Sequence, residues 1–209
     1  MKNIREQKLN LPRIVPVMVL PEALLFPKAL LPLVIFEPRY REMLALALEQ
    51  DRMFAIAPMK PGISEAASVD DFHHIAGLGL VRACVAHEDG TSHLILQGLA
   101  RVRFTGFTQE EPFRRAEIEE LRSEPVDAEA GESLSAKVLQ LCAQLRANGL
   151  AVPEAFDEQL AQVIDPAIVA DMVAHSFVRS AAHRQQIMEE LCVGERLRLV
   201  IRYLSAELA

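Results

Sequence analysis

The sequence predicts an α+β fold: a β-rich antiparallel subdomain carrying one inserted helix, followed by an antiparallel α-helical bundle. Three observations carry this. Strand-sized apolar pieces cut by prolines fill most of the first 122 residues, and one well-made amphipathic helix interrupts them. After an acidic, small-residue stretch, SEPVDAEAGE, the apolar residues fall into helical spacing. The expected division is a β-rich part at 1–122, a linker at 123–132 and a helical part at 133–209.

The elements follow in order. From Leu11 to Phe36 only Arg13, Glu22 and Lys28 carry charge, and Pro12, Pro16, Pro21, Pro27 and Pro32 punctuate the run. A membrane helix needs about 20 unbroken apolar residues. Proline removes a backbone donor and clashes with the preceding turn, so this run does not make one. The pieces Ile14–Leu20 and Leu30–Ile35 read instead as strands. Pro38 suits a first helical position, and Tyr40, Met43, Leu44, Ala47 and Leu48 then share one face of a helix. Met53–Pro58 reads as a short buried strand and Lys60–His74 as an exposed loop. Gly77–Ala86 and Ser92–Gln97 flank an Asp89-Gly90 turn, a strong hairpin signal. Arg101–Thr105 alternates, with Val102 and Phe104 on one face, and Phe113–Glu119 reads as a final strand.

Beyond the linker, Ser133 is placed to cap a helix through Leu134, Val138, Leu141 and Leu145, with Asn148-Gly149 as its stop. Asp165-Pro166 starts a helix through Ile168, Met172 and Phe177. Ser180 starts another through Ile187 and Leu191, and Gly194 punctuates before Leu197, Val200, Ile201 and Leu204.

Composition narrows the function classes. The chain has 209 residues, of which 51% are hydrophobic, enough to fill a sizeable core. A net charge of −7 argues against a general nucleic-acid or anionic-membrane binder. Trp is absent and aromatic residues make up 5%, so large stacking surfaces are not expected. Cys84, Cys142 and Cys192 are odd in number, far apart and without C-x-x-C spacing, which fits free thiols in a reducing cytoplasm. No secretory leader is read at the N-terminus.

The same stretches carry a resemblance. VPVMVLPEALLFPKALLPLVIFEPRYREML resembles the start of the N-terminal domain of Lon proteases. GLGLVRACVAHEDGTSHLILQGLARVRF (Gly77–Phe104) resembles that domain's hairpin and following strand. Asp165–Leu204 resembles its helical half. The resemblance implies a PUA-like β subdomain and a role in recognising protein substrates without catalysis by this chain. It also implies unfolded protein or peptide segments as partners, with a protease or chaperone as companion and the cytoplasm as location. A weak homo-oligomer is compatible with it; a membrane or nucleic acid is not the expected partner.

Motifs for chemistry are scarce. No G-x-x-x-x-G-K-[ST] loop occurs, and Gly77-Leu78-Gly79 lacks the third glycine of a dinucleotide fingerprint, so ATP binding and hydrolysis are not expected. Ser133 and Lys137 sit four apart on an expected helix and read as a solvated pair, not the serine–lysine dyad of the protease end of Lon. His73-His74, with His87 and His93 across the hairpin, is the nearest approach to a metal cluster. Adjacent strand residues point to opposite faces, so no metal site is expected. Cys84 lies in an apolar strand and reads as a buried inert thiol. No catalytic residue and no cofactor are therefore expected.

The candidates left are surfaces for peptides. Arg101, Arg103, Phe107 and Phe113 interleave apolar and basic residues near the end of the β part. They are either core rings beside a solvated sheet face, or an apolar strip with a basic rim that holds an unfolded peptide. Phe36, Arg39 and Tyr40, at the helix start, form a second candidate with the same two readings. Two other classes stay open: an RNA-associated module, since PUA-like folds elsewhere bind structured RNA, and a peptidase of unrecognised type.

Overall fold

The computed structural model describes residues 10–152 and 154–208. Lys2 and Lys8, with the rest of the first nine residues of the expected β part, lie outside them.

Six strands, β1 (Ile14–Leu20), β2 (Leu30–Ile35), β3 (Met53–Pro58), β4 (Ile75–Ala86), β5 (Ser92–Gln109) and β6 (Arg114–Leu121), form one sheet in the order β2-β5-β4-β3-β1-β6. β5 is 18 residues long and joins the pieces read separately at 92–97 and 101–105. Its first half pairs with β2 and its second half with β6. β6 therefore returns onto β5, and β5-β4-β3-β1-β6 close into a barrel with β2 attached outside it. Register shifts in the β4–β5 and β5–β6 ladders bend the strands as closure requires. β1 and β3 pair in parallel, with Val17 opposite Ala55, where an antiparallel unit was expected. The segment between them, which includes β2 and helix α1 (Pro38–Glu49), is the crossover that a parallel pair needs.

A five-stranded barrel is narrow, and its filling is correspondingly small. Val15, Val17, Val19, Ala55, Ala57, Ala76 and Ala116 pack there with Leu78, Val102, Phe72 and Phe104. The second, larger core lies outside the barrel and is shared with the helices. α1 contributes Tyr40, Met43, Leu44 and Ala47 to it. The proline loop contributes Leu24, Leu25 and Phe26, each 2% exposed or less. That loop lies directly across the sheet. A Cβ on Gly77 would fall 1.9 Å from the Leu25 carbonyl oxygen, and one on Gly98 would fall 1.9 Å from that of Phe26.

The helices are α2 (Ala128–Ala147), α3 (Glu154–Ala161), α4 (Pro166–Phe177), α5 (Ala181–Glu189) and α6 (Val193–Leu208). α2 starts five residues before Ser133, inside the expected linker. Asp127 is its cap, accepting from the amides of Glu129 and Ala130 at 3.1 and 3.2 Å. An aspartate at the N-terminus also meets the positive end of the helix dipole. Asp165 and Ser180 cap α4 and α5 as expected, whereas Gly194 lies within α6 and is small because Val126 packs against it. The exposed connection before α2 is tied down through Glu124, whose amide donates to the Leu191 carbonyl at 2.8 Å and whose carbonyl accepts from Val193 at 3.0 Å.

One buried ionic cluster joins the barrel to the helices. Arg101 on β5 is 3% exposed and makes a two-pronged contact with Asp171 on α4 at 2.8 and 2.5 Å. Its Nε donates to the Met188 carbonyl of α5 at 3.0 Å. Arg196 on α6 is wholly buried and reaches the same carboxylate at 3.3 Å, the Glu190 carbonyl at 2.9 Å and Ser123 Oγ at 2.9 Å. Burial pulls the Arg196 pKa down to about 10 despite Asp171, with Arg101 adding to the depression, so it remains a cation at neutral pH.

Removing one member of a buried ionic set leaves an uncompensated charge. Asp171→Ala is expected to cost about 3–5 kcal/mol in urea unfolding. Arg103→Ala, which removes only an exposed pair with Glu119 at 3.4 Å, should stay within about 0.5 kcal/mol. Equal effects for the two variants would show that the cluster does not join the layers.

A pH dependence follows from His175 on α4. Its ring meets Phe26 edge-on, 6.3 Å between centroids, and its Nδ1 is buried without a partner. Burial, and then the charge of Arg184, holds its pKa below the ordinary 6.5. The unfolded state therefore binds the proton more readily, and this contribution to stability is full above about pH 6.5 and lost as the pH falls below it. Urea unfolding between pH 7.5 and 5.5 should show a smaller acid loss in His175→Leu than in the parent chain; identical slopes would remove His175 from the account.

Candidate functional site

The structure separates the residues that the sequence grouped. Arg101 is not on a surface: it is consumed by Asp171, because its outward face of β5 is covered by α4 and α5. Arg103, two residues on, is exposed and pairs with Glu119. Phe107 is half-buried at the end of the barrel, with its ring centroid 5.7 Å from those of Phe72, His74 and Phe104. Phe113 is 8% exposed and belongs to the larger core. The strip with a basic rim therefore does not form from these four residues.

Of the second group, Tyr40 is buried, its hydroxyl donating to the Val19 carbonyl at 2.9 Å and accepting from the Val19 amide at 3.3 Å. Burial raises the pKa of this phenol. Arg39 pairs with Glu37 at 2.8 Å and lies over the Tyr40 ring. Arg39, Tyr40 and Phe113 do meet, in a polar cleft of about 140 Å³. Phe36 is different: it is 64% exposed.

Phe36 leads to a surface that the sequence reading passed over. β2, the first half of β5 and the end of β4 form a three-stranded tongue beyond the barrel. Register puts Val34, His93 and Val85 in one row across it, and Pro32, Ile95 and Ala83 in the next. Along β2 the even residues Leu30, Pro32 and Val34 are exposed, while Ile35 is buried and Leu31 and Leu33 are half-buried against the larger core. Leu30 and Val34 are each 53% exposed, and Val85 is 59% exposed. Three of the six exposed large hydrophobic side chains among the described residues, Leu30, Val34 and Val85, belong to this tongue, and a fourth, Phe36, directly follows β2. A shallow depression of about 530 Å³ runs between its rows. The signal was present in β2, which is apolar on both faces with a proline at its centre. That combination marks an edge strand with one apolar face left to solvent.

The tongue also revises the reading of one thiol. Cys84 is half-buried, not enclosed, because its end of β4 projects past the helices. Cys142 is buried in the helical core, and burial pushes its thiol up to about 12. His73 bonds Glu189 at 3.2 Å and His74 the Val69 carbonyl at 2.8 Å, so the adjacent pair diverges. His87 and His93 stand 4.7 Å apart at the hairpin. Among the described residues no helix is long and apolar enough to cross a membrane.

Comparison with known proteins agrees with this architecture. The chain is 28% identical over 200 residues to the Lon protease of Desulfosudis oleivorans, covering 95% of this chain and 24% of that protein. It is 25% identical over 209 residues to the Lon protease of Dictyoglomus thermophilum, covering 98% and 26%. It thus spans about a quarter of the length of these curated relatives. Among solved structures, the N-terminal domain of Mycobacterium avium complex Lon protease superposes with a TM-score of 0.72 at 19% identity, covering 92% of this chain and 98% of that one. The Lon N-terminal domain protein from Xanthomonas campestris gives a TM-score of 0.65 at 17% identity, covering 91% and 98%. The family model that matches, over residues 14–206, is the substrate-binding domain of the ATP-dependent protease La (LON), and the chain belongs to that family.

Proposed function

We propose that this chain holds unfolded protein segments on the outward apolar face of the β2–β5–β4 tongue and performs no chemistry on them. The observation that carries this is the placement of Leu30, Val34 and Val85, each more than half exposed, on one projecting sheet, with the exposed Phe36 directly after β2. Leaving such side chains in water is unfavourable by about 25 cal/mol for each Å² of apolar surface, so a contiguous group of them is a docking surface in wait. Unfolded chains offer matching apolar stretches, whereas native proteins bury theirs.

Strand addition is disfavoured here. Pro32 lies at the centre of β2, the outer strand of the sheet, and proline has no N–H to give an incoming ladder. The segment is therefore held by side chains across the face. A single small contact of this kind gives an affinity on the order of micromolar or weaker. Membership of the substrate-binding family supports the same reading, as does the absence of a phosphate-cradling glycine loop. The companion is a proteolytic machine that consumes what this domain holds, in the cytoplasm.

The test is a titration with a carboxymethylated, permanently unfolded protein, read by fluorescence anisotropy. The double variant Val34→Asp, Val85→Asp should weaken binding at least tenfold. Both positions are exposed, so its melting temperature should move by no more than about 4 °C. Phe107→Ala is the control: it should cost stability, about 1–3 kcal/mol for a half-buried ring, and leave affinity unchanged. Full affinity in the double variant would move the site elsewhere.

A further inference from the structure

The depression on the tongue has one polar side chain in its lining. His93 borders this hollow of about 530 Å³, and every other residue lining it is apolar. Register sets His93 between Val34 of β2 and Val85 of β4, which makes these valines its cross-strand neighbours on the face. His87, just past the end of β4, brings its ring to 4.7 Å from that of His93, centroid to centroid, at an interplanar angle of 66°. Both imidazoles are exposed, and neither has a hydrogen bond or an ion pair with another described residue.

The charges around this pair are few and fixed. β2 has no charged side chain, the first half of β5 has none besides His93, and β4 has only Arg82, the unpaired residue of its bulge. Cys84 packs against the larger core. The turn after His87 holds Glu88 and Asp89. Thr91 donates to Asp89 Oδ1 from its amide at 2.9 Å and from its hydroxyl at 2.7 Å, which holds that carboxyl below its usual range. Asp89 is therefore an anion at neutral and mildly acid pH. Arg41 of α1 reaches the same turn, its guanidinium filling the space where a Cβ of Gly90 would stand. Imidazole is the side chain that changes charge between about pH 5 and 8, so on this face the charge that varies is that of the two histidines.

We propose that His93, with His87 beside it, selects the residue at the centre of the bound segment by charge: neutral imidazoles admit an apolar side chain, and an imidazolium admits a carboxylate and turns away apolar and basic side chains. This rests on the tongue as the docking face. An apolar segment lying across Val34 and Val85 covers the ring between them. A neutral ring loses little on being covered, whereas a charged one gives up its water with no counter-charge in return. An aspartate or glutamate opposite the ring supplies that counter-charge in a charge-assisted hydrogen bond. The sign of the pH dependence follows. A purely apolar segment binds the unprotonated face better, so it is held at neutral pH and released as the imidazoles take up protons. An acidic-centred segment behaves in the opposite way.

The test titrates the full chain into capped, dye-labelled peptides Ser-Leu-Val-Xaa-Val-Leu-Ser, with Leu, Asp or Lys at the centre, by fluorescence anisotropy at pH 7.5 and 5.5. From the higher to the lower pH the Leu peptide should bind about fivefold weaker and the Asp peptide about fivefold tighter, as one surface charge gives. The Lys peptide should weaken at least as much as the Leu peptide. The double variant His87→Gln, His93→Leu should hold every change within about twofold, the scale of an exposed interaction removed. It keeps His175, so a loss of affinity through acid destabilisation would persist in it, and that outcome would overturn the proposal. His93→Lys at pH 7.5 should reproduce the order of affinities that the parent chain shows at pH 5.5. Val34→Asp, Val85→Asp should lose the Leu peptide at both pH values; its retention would remove the tongue as the docking face and this inference with it. Binding that needs Val34 and Val85 but ignores pH, the central residue or the histidine variants would overturn this inference alone.

Discussion

The architecture turns on one carboxylate that serves two guanidinium groups. Asp171 draws Arg101 from the barrel and Arg196 from α6 to a single buried point, with the Met188 and Glu190 carbonyls and Ser123 Oγ taking the remaining donors. Two cations on one anion are tolerable only where such oxygens spread the excess charge. The arrangement is directional in a way that apolar contacts are not. It sets the position of α4 and α6 on the outward side of β5, beside the Phe26 ring that the Arg101 guanidinium overlies. The proline loop, the two glycines that admit it and the helical layer are all placed relative to that point.

This placement explains why part of the sheet is left bare. The helices cover the outward face of β5 along its barrel half, and β5 is long enough to run past them. Its first half, with β2 and the end of β4, has the larger core on one face only. The other face has no helix over it, yet beside His93 and Gln97 its side chains are those of Leu30, Pro32, Val34, Ala83, Val85 and Ile95. Apolar residues on an uncovered face lower the stability of the isolated chain and are intelligible as a surface for another chain.

Much of the fold was legible in the residues. β3 and α1 fall where their patterns placed them, and so do the Asp165-Pro166 and Ser180 caps, because each depends on residues within a few positions. The start of α2 was misread because two cap residues competed: Asp127 and Ser133 both qualify locally. Asp127 prevails where Gly131, buried against Val126 and Pro166, lets the first turn pack closely. The parallel β1–β3 pair was not legible, since strand direction depends on where the crossover lies and not on either strand's pattern.

The sequence by itself determined the class of the molecule and its family: local propensity, periodicity and a spread of matching segments require only near neighbours in the chain. It could not determine which apolar or basic residues reach a surface. Arg101 and Arg103 occupy equivalent positions in an alternating strand, yet one is buried on Asp171, 70 residues away, and the other is in water. Leu30 and Leu31 are adjacent and chemically identical, but only the packing of β2 against the larger core turns one inward and leaves the other exposed. Exposure is a property of what packs on a face. That is decided by contacts between residues far apart in the chain, and only the tertiary structure holds them.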